Sequence, residues 1–128
     1  MTEIAQIALV VRDYDEAIAF YCGVLGFQLL EDTVLSETKR WVVVKPEGGG
    51  GCALLLAKAV GEEQEKAIGN QSGGRVFLFL HTSDFAFYHQ RVLEAGLNIV
   101  RGPIEEEYGK VLVFEDIYGN KWDLIGKN

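Results

Sequence analysis

Hydrophobic and polar positions alternate along the chain in blocks that predict strands and helices in a repeated order. The apolar run over residues 4–11, interrupted by Gln6 and rich in β-branched residues, predicts a buried strand. Over residues 14–24 the apolar positions share one helical face, and Gly26 ends this pattern. Three more strands are predicted over residues 27–34, 40–45 and 52–57, with Pro46 and the glycine run 48–51 breaking the chain between the last two. The first half therefore predicts the order β-α-β-β-β.

The same order returns in the second half after a polar connector. The connector is rich in glutamate and glycine, which predicts a short polar helix followed by a flexible link. Asp84 stands before the second predicted helix as Asp13 stands before the first, and Gly96 ends that second helix. Strands are predicted over residues 76–80, 97–100, 111–114 and 121–125. We interpret the chain as one domain made of two modules, at about residues 1–60 and 75–128, joined by a connector at about residues 61–74.

Composition narrows the classes of function. A chain of 128 residues with 48% hydrophobic and 24% charged residues is typical of one soluble globular domain. The net charge of −7 argues against a nucleic-acid partner, which requires cationic side chains to neutralise phosphates. No membrane-spanning segment or signal peptide is evident, which predicts a cytoplasmic protein without a membrane partner. Cys22 and Cys52 are interpreted as packed thiols, and the three glutamates at 105–107 indicate a solvated loop.

The last predicted hairpin carries the candidate chemistry. Gly119 and Asn120 form a turn pair, because both residue types tolerate the positive φ of tight hairpins. In the returning strand Lys121, Asp123 and Ile125 share one face, and Trp122 and Leu124 share the other. Asp123 is therefore a single carboxylate among large apolar residues. Three roles for it stay open: holding a metal, contacting a ligand or pairing with a cation.

These features together resemble the vicinal oxygen chelate superfamily, which includes glyoxalase I, extradiol dioxygenases, bleomycin-resistance proteins and fosfomycin-resistance enzymes. The resemblance rests on a strand followed by Asp13, a helix leading into Leu25-Gly26-Phe27, and the Asp116 to Asn120 turn before a strand that bears an acid. It implies an α+β fold in which tandem βαβββ modules form curved mixed sheets around a cavity. It also implies a homodimer, because a second subunit usually completes that cavity.

The resemblance places four metal-ligand positions on this sequence. They fall on Gln6, on Phe77, on Asp123, and on one of Ala53, Leu54 or Leu55. Phenylalanine, alanine and leucine side chains have no lone pair, so Gln6 and Asp123 are the residual ligand positions. One neutral amide and one carboxylate are too few for tight binding of zinc, nickel or iron. No cofactor is therefore expected, although a divalent metal stays open as an alternative.

The cavity-facing side chains that the resemblance implies suit a small organic ligand. The predicted ligand-binding residues are Gln6, Arg75, Phe77, Phe79, His81, Lys121 and Asp123. Apolar walls would hold the ligand, and Gln6, Arg75 or Asp123 would orient it. In the competing interpretation Phe77 and Phe79 fill the space themselves, and Lys121 or an arginine neutralises Asp123. His81 lies four residues from Phe77, which favours a position at the cavity rim over a catalytic role.

Three hypotheses about function follow. The favoured one is a protein similar to bleomycin-resistance proteins that binds a small, partly apolar molecule without a metal in a dimeric cavity. The second is a divalent-metal-dependent lyase, isomerase or dioxygenase that uses Gln6 and Asp123. The third is a metal-free enzyme in which Asp123 acts alone as the catalytic base.

Overall fold

A computed structural model describes residues 1–48 and 50–127 of the chain. The chain forms two structural units, one made of residues 1–68 and one that begins at Gly69. The glycine run predicted to separate two strands includes Gly49, which lies outside the described residues.

The first unit contains one four-stranded mixed sheet. Its elements are β1 (Gln6–Val11), α1 (Tyr14–Ile18), β2 (Gln28–Val34), β3 (Arg40–Lys45), β4 (Ala53–Lys58) and α2 (Glu62–Ala67). The strand order is β1-β4-β3-β2, with β1 and β4 parallel and the other pairs antiparallel. α1 continues as a π-helical segment over Ala19–Val24, so the single helix predicted over residues 14–24 has two geometries.

The second unit repeats this arrangement. Its elements are β5 (Val76–Thr82), α3 (Phe85–Glu94), β6 (Ile99–Glu106), β7 (Gly109–Glu115) and β8 (Lys121–Lys127). The strand order is β5-β8-β7-β6, with β5 and β8 parallel. The predicted α+β fold of two βαβββ modules is confirmed.

An aspartate caps the first helix of each unit, as the sequence indicates. Asp13 Oδ2 accepts a hydrogen bond of 2.9 Å from the Glu16 N–H, and Asp84 Oδ1 accepts one of 3.2 Å from the Phe87 N–H. Each bond satisfies one of the N–H groups that a helix leaves unpaired in its first turn. The two caps set where each helix begins beside its sheet.

The core of each unit lies between its sheet and its helix. α1 contacts β3 and β4, and α3 contacts β7 and β8. Alternate residues of these strands are buried on the helix side: Leu9, Val11, Val42, Val44, Leu54 and Leu56 in the first unit, and Leu80, Leu112, Phe114, Trp122 and Leu124 in the second. The intervening residues of each strand belong to the opposite face of the sheet.

The turn between β7 and β8 differs in one detail from the prediction. Gly119 has a φ of +103°, as expected, whereas no residue other than glycine has a positive φ among the described residues. Asn120 instead contributes its side chain, because its Nδ2 donates to Asp116 Oδ2 at 2.9 Å. Asp116 Oδ1 also accepts from the N–H groups of Tyr118 and Asn120, both at 2.9 Å. This buried network fixes the point at which β8 begins.

The prediction of a loop over the three glutamates is wrong for Glu105 and Glu106, whereas Glu107 lies in the turn after β6. Glu105 and Glu106 are the last residues of β6 and pair with Lys110 and Gly109 of β7. An edge strand can carry charged side chains, because one of its sides faces no neighbouring strand.

Within the described residues, no helix has the length and apolar character needed to span a membrane.

Candidate functional site

The second sheet has one face that turns away from α3. A Cβ atom placed on Gly126 would lie 2.6 Å from Phe85 Cβ, so Gly126 faces the start of α3. Because side chains alternate along a strand, Trp122 and Leu124 point the same way as Gly126, and Asp123 points the opposite way. We call the surface that bears Asp123, with the residues opposite it on β5, β7 and β6, the Asp123 face.

Four side chains form a row across the Asp123 face. Asp123 of β8 pairs with Phe79 of β5 on one side and with Val113 of β7 on the other. Val113 in turn pairs with Arg101 of β6. Residues that are directly opposite in neighbouring strands share a face, so the row contains an aromatic ring, a carboxylate, a buried aliphatic group and a guanidinium. Phe79 is 63% exposed, which is unusual for so large an apolar side chain.

One oxygen of the half-buried Asp123 carboxylate lies in an environment that does not satisfy it. Its Oδ1 is shielded from water and has no hydrogen-bond partner among the described residues. Burial raises the pKa of the Asp123 carboxyl, and the nearby charges of Arg101 and His81 act in the opposite direction. A buried acceptor without a donor costs free energy in the folded state. A ligand that brings an N–H or O–H group to this oxygen would remove that cost.

Arg101 is a site residue that the sequence reasoning missed. Next to the β6–β7 turn, Glu105 pairs with Lys110 and Ile104 with Val111. If this register continued along β6, Arg101 would lie opposite Phe114, on the helix side of the sheet. An irregularity at Gly102 and Pro103 shifts the register, so Arg101 lies opposite Val113 instead. Proline within an edge strand signals such a bulge, and this signal could have located Arg101.

A second bulge changes the interpretation of β5. The pairing with β8 skips Phe77, since Val76 pairs with Lys121 and Leu78 with Trp122. Phe79, not Phe77, therefore lies directly beside Asp123. His81 lies two residues beyond Phe79 on the same face, at about 6.6 Å along the strand. This proximity explains why the charge of His81 acts on Asp123. The sequence pattern favours a rim position for His81 because it lies four residues from Phe77, but the neighbour of Asp123 is Phe79.

The other predicted site residues are placed less centrally. Lys121 Nζ donates to the Gly74 carbonyl oxygen at 2.9 Å, so it anchors the start of β8 and does not neutralise Asp123. Arg75 is exposed and lies one residue before β5. Gln6 belongs to the first unit, where it is half-buried and pairs with Ala53. The assignment of these side chains to ligand binding stays a prediction.

A family model described as the glyoxalase/bleomycin resistance protein/dioxygenase superfamily matches residues 3–124 of this chain. The chain belongs to this superfamily. A relative described as an uncharacterized protein of Shewanella frigidimarina is 57% identical, over 98% of this chain and 93% of the relative.

Two solved structures share the fold of this chain over nearly their whole length. The crystal structure of UcmS2 has a TM-score of 0.82 and 26% identity, and covers 99% of both chains. TnmS3, an antibiotic binding protein from Streptomyces sp. CB03234, has a TM-score of 0.75 and 26% identity, and covers 100% of this chain and 98% of its own.

Members of the superfamily often use a divalent metal, but the side chains beside Asp123 do not fit one. Phe79 and Val113 have no lone pair, and the protonated Arg101 guanidinium has none to donate, so none of the three neighbours of Asp123 in this row can coordinate a metal ion. Among residues 1–48 and 50–127, no three histidine, cysteine, aspartate or glutamate side chains cluster as metal ligands would. In the first unit, Gln6 pairs with Ala53 and the next residue on that face of β4 is Leu55, neither of which can coordinate. The chemistry of these donors suits hydrogen bonding to an organic group better than metal coordination.

Proposed function

We propose that the protein binds a small, partly apolar organic molecule on the Asp123 face without the help of a metal ion. The observation that carries this proposal is the buried, unpartnered Asp123 Oδ1 directly beside an exposed phenylalanine ring. A protein that needed neither feature would gain stability by pairing the carboxylate or by burying the ring. A ligand that donates a hydrogen bond to Oδ1 and covers the Phe79 ring would explain both features.

The two features also indicate the chemistry of the ligand. Phe79 offers an apolar surface on which a flat or aliphatic body can lie. Asp123 offers an acceptor for a hydroxyl, amide or ammonium group at one end of that body. The antibiotic-binding description of TnmS3 supports small-molecule binding by a chain of this fold.

The proposal can be tested with 1-naphthylmethylamine, which combines an aromatic body with an ammonium group. In the presence of a chelator, we expect saturable binding with a dissociation constant on the order of 0.1–1 mM, as suits so small a ligand. In an NMR titration the backbone amide signals of Phe79, Asp123 and Val113 should shift. Asp123→Asn should weaken binding about tenfold, because the charge-assisted hydrogen bond is lost.

A matched variant separates this contact from general electrostatics. Glu105→Gln removes the same charge from the same sheet, at an exposed position in β6, and should leave the affinity within about twofold of the original. Equal weakening by Asp123→Asn and Glu105→Gln would contradict a specific role for Asp123. Failure of the amine to shift any of the three signals would contradict the proposed site.

We further propose that the ligand-binding form is a homodimer. Every residue of the edge strand β2 is exposed, including Leu29 and Leu30. An exposed edge that carries apolar side chains is a surface that proteins usually cover. Sedimentation velocity at a protein concentration of about 50 μM should give twice the mass of one chain. A purely monomeric protein at that concentration would contradict the dimer.

A further inference from the structure

The first sheet opens between its two central strands. Pairing of β3 with β4 covers only Val42 with Leu56 through Val44 with Leu54. Both strands continue past this ladder, β3 back to Arg40 and β4 on to Lys58, and each stays paired with its outer neighbour. The Arg40 N–H donates to the Tyr14 hydroxyl at 3.2 Å instead of joining a ladder with β4. The two strands therefore diverge and leave a slot within the sheet.

A cleft of about 360 Å³ occupies this slot. Its apolar lining includes Trp41, Leu55, Ala57 and Val60. Trp41 and Leu55 are half-buried, so part of each side chain faces the cleft. This volume lies within the range of clefts that hold small organic ligands.

The charged side chains that line the cleft are all cations. Lys39, Arg40 and Lys58 line it, and none of the described residues that line it is acidic. This contrasts with the chain as a whole, whose net charge is −7. A positive cleft in an acidic protein is a feature that the fold itself does not require.

The three cations are not equivalent. Arg40 is already satisfied, because its Nε and Nη2 donate to the two carboxylate oxygens of Asp32 at 3.1 and 2.7 Å. Its Nη1 donates to Asp15 Oδ1 at 2.9 Å. The ammonium groups of Lys39 and Lys58 make no such contacts with any described residue. Two unpaired positive charges thus lie beside an indole ring and aliphatic walls.

We infer that this slot is a second binding site, for a small aromatic carboxylate or a similar aromatic anion. The aromatic body would lie against Trp41 and Leu55, and the anionic group would be held by Lys39 and Lys58. The Arg40 ion pairs keep β3 in place at the opening and are not ligand contacts. The site lies wholly within the first unit and does not depend on the Asp123 face.

The chain offers a direct readout, since Trp41 and Trp122 are its two tryptophans. In an NMR titration of the ¹⁵N-labelled protein with 1-naphthoate, the indole N–H signal of Trp41 should shift saturably. The signal of Trp122, which is buried against α3, should stay in place. Trp41→Phe assigns the two signals. The neutral analogue 1-naphthalenemethanol should bind about tenfold more weakly than the carboxylate.

Lysine variants test the charge requirement. Lys39→Gln with Lys58→Gln should weaken 1-naphthoate binding about tenfold. The matched pair Lys66→Gln with Lys127→Gln removes the same charge at exposed positions outside the cleft and should change the affinity less than about twofold. Circular dichroism verifies that both double variants are folded.

Three results would overturn the second site. One is a Trp41 indole signal that does not respond to 1-naphthoate. Another is equal affinity for 1-naphthoate and 1-naphthalenemethanol, and the third is equal weakening in the two double-lysine variants. None of these results bears on 1-naphthylmethylamine binding at Asp123, so the two proposed sites are tested independently.

Discussion

Replacing Asp123 with leucine is expected to raise the free energy of unfolding by about 1 kcal/mol, the lower end of the cost of an unpaired buried acceptor because Asp123 is half-buried, while abolishing ligand binding on the Asp123 face. Leucine has a similar shape and leaves no oxygen without a partner beside Phe79 and Val113. Urea denaturation followed by circular dichroism measures the change. A variant that is both more stable and unable to bind would show that the carboxylate is present for function.

The gain in stability should also depend on pH. Burial raises the pKa of Asp123, so the folded protein holds this proton more tightly than the unfolded chain. The contribution of Asp123 to stability therefore falls as pH rises from the ordinary aspartate value through the raised one. Leucine does not titrate, so the variant lacks this pH-dependent loss of stability. The stabilisation by Asp123→Leu should therefore be larger at pH 7 than at pH 4.

Asp32 provides a control of opposite sign. Its hydrogen bond with Arg40 lowers the pKa of the Asp32 carboxyl, so its stabilising contribution is present at neutral pH and is lost as pH falls through the lowered value. Asp32→Leu should therefore destabilise the protein, and more so at pH 7 than in acid. If Asp123→Leu destabilised the protein in the same way, Asp123 would be a structural residue and the proposed site would be wrong.

Phe114→Ala is expected to destabilise the protein by about 3–5 kcal/mol, whereas Phe79→Ala should change stability by less than about 0.5 kcal/mol. The same atoms are removed in both variants. Phe114 is fully buried in β7 on the helix side, so its truncation leaves a cavity, while Phe79 is mostly exposed. Thermal and urea unfolding of the two variants give this comparison directly.

Ligand binding should show the reverse order for these two phenylalanines. Phe79→Ala should weaken 1-naphthylmethylamine binding about tenfold, because the ring on which the ligand lies is gone. Where Phe114→Ala stays folded, its affinity should be nearly unchanged. A large loss of stability in Phe79→Ala would mean that Phe79 fills the space itself, as the competing interpretation of the sequence held.

The order of elements was predictable because its signals are local. Asp13 and Asp84 mark helix starts, Gly26 and Gly96 mark helix ends, and alternation along residues 121–125 gives the two faces of β8. These signals depend on neighbouring residues only. They were sufficient for the fold and for the orientation of Asp123.

The composition of the site was less predictable because it depends on register between strands that are distant in sequence. The bulge at Phe77 makes Phe79 the neighbour of Asp123, and the irregularity at Gly102 and Pro103 brings Arg101 to the same face. A slip of one residue moves a side chain to the opposite face, and periodicity along one strand does not reveal it. The opening between β3 and β4 has the same origin, since no local pattern near Trp41 indicates where pairing stops.

The most direct test of metal-independent binding is calorimetric titration of the same protein under two conditions. The protein is first treated with a chelator and titrated with 1-naphthylmethylamine, then freed of chelator and titrated with zinc, nickel, manganese and iron(II) before the amine is added again. We predict equal amine affinity in both states, within about twofold, and no tight stoichiometric binding of any of the four metals. Tight stoichiometric metal binding that Asp123→Ala abolishes, with amine binding only in the metal-loaded state, would contradict this account and favour the metal-dependent enzyme that uses Gln6 and Asp123.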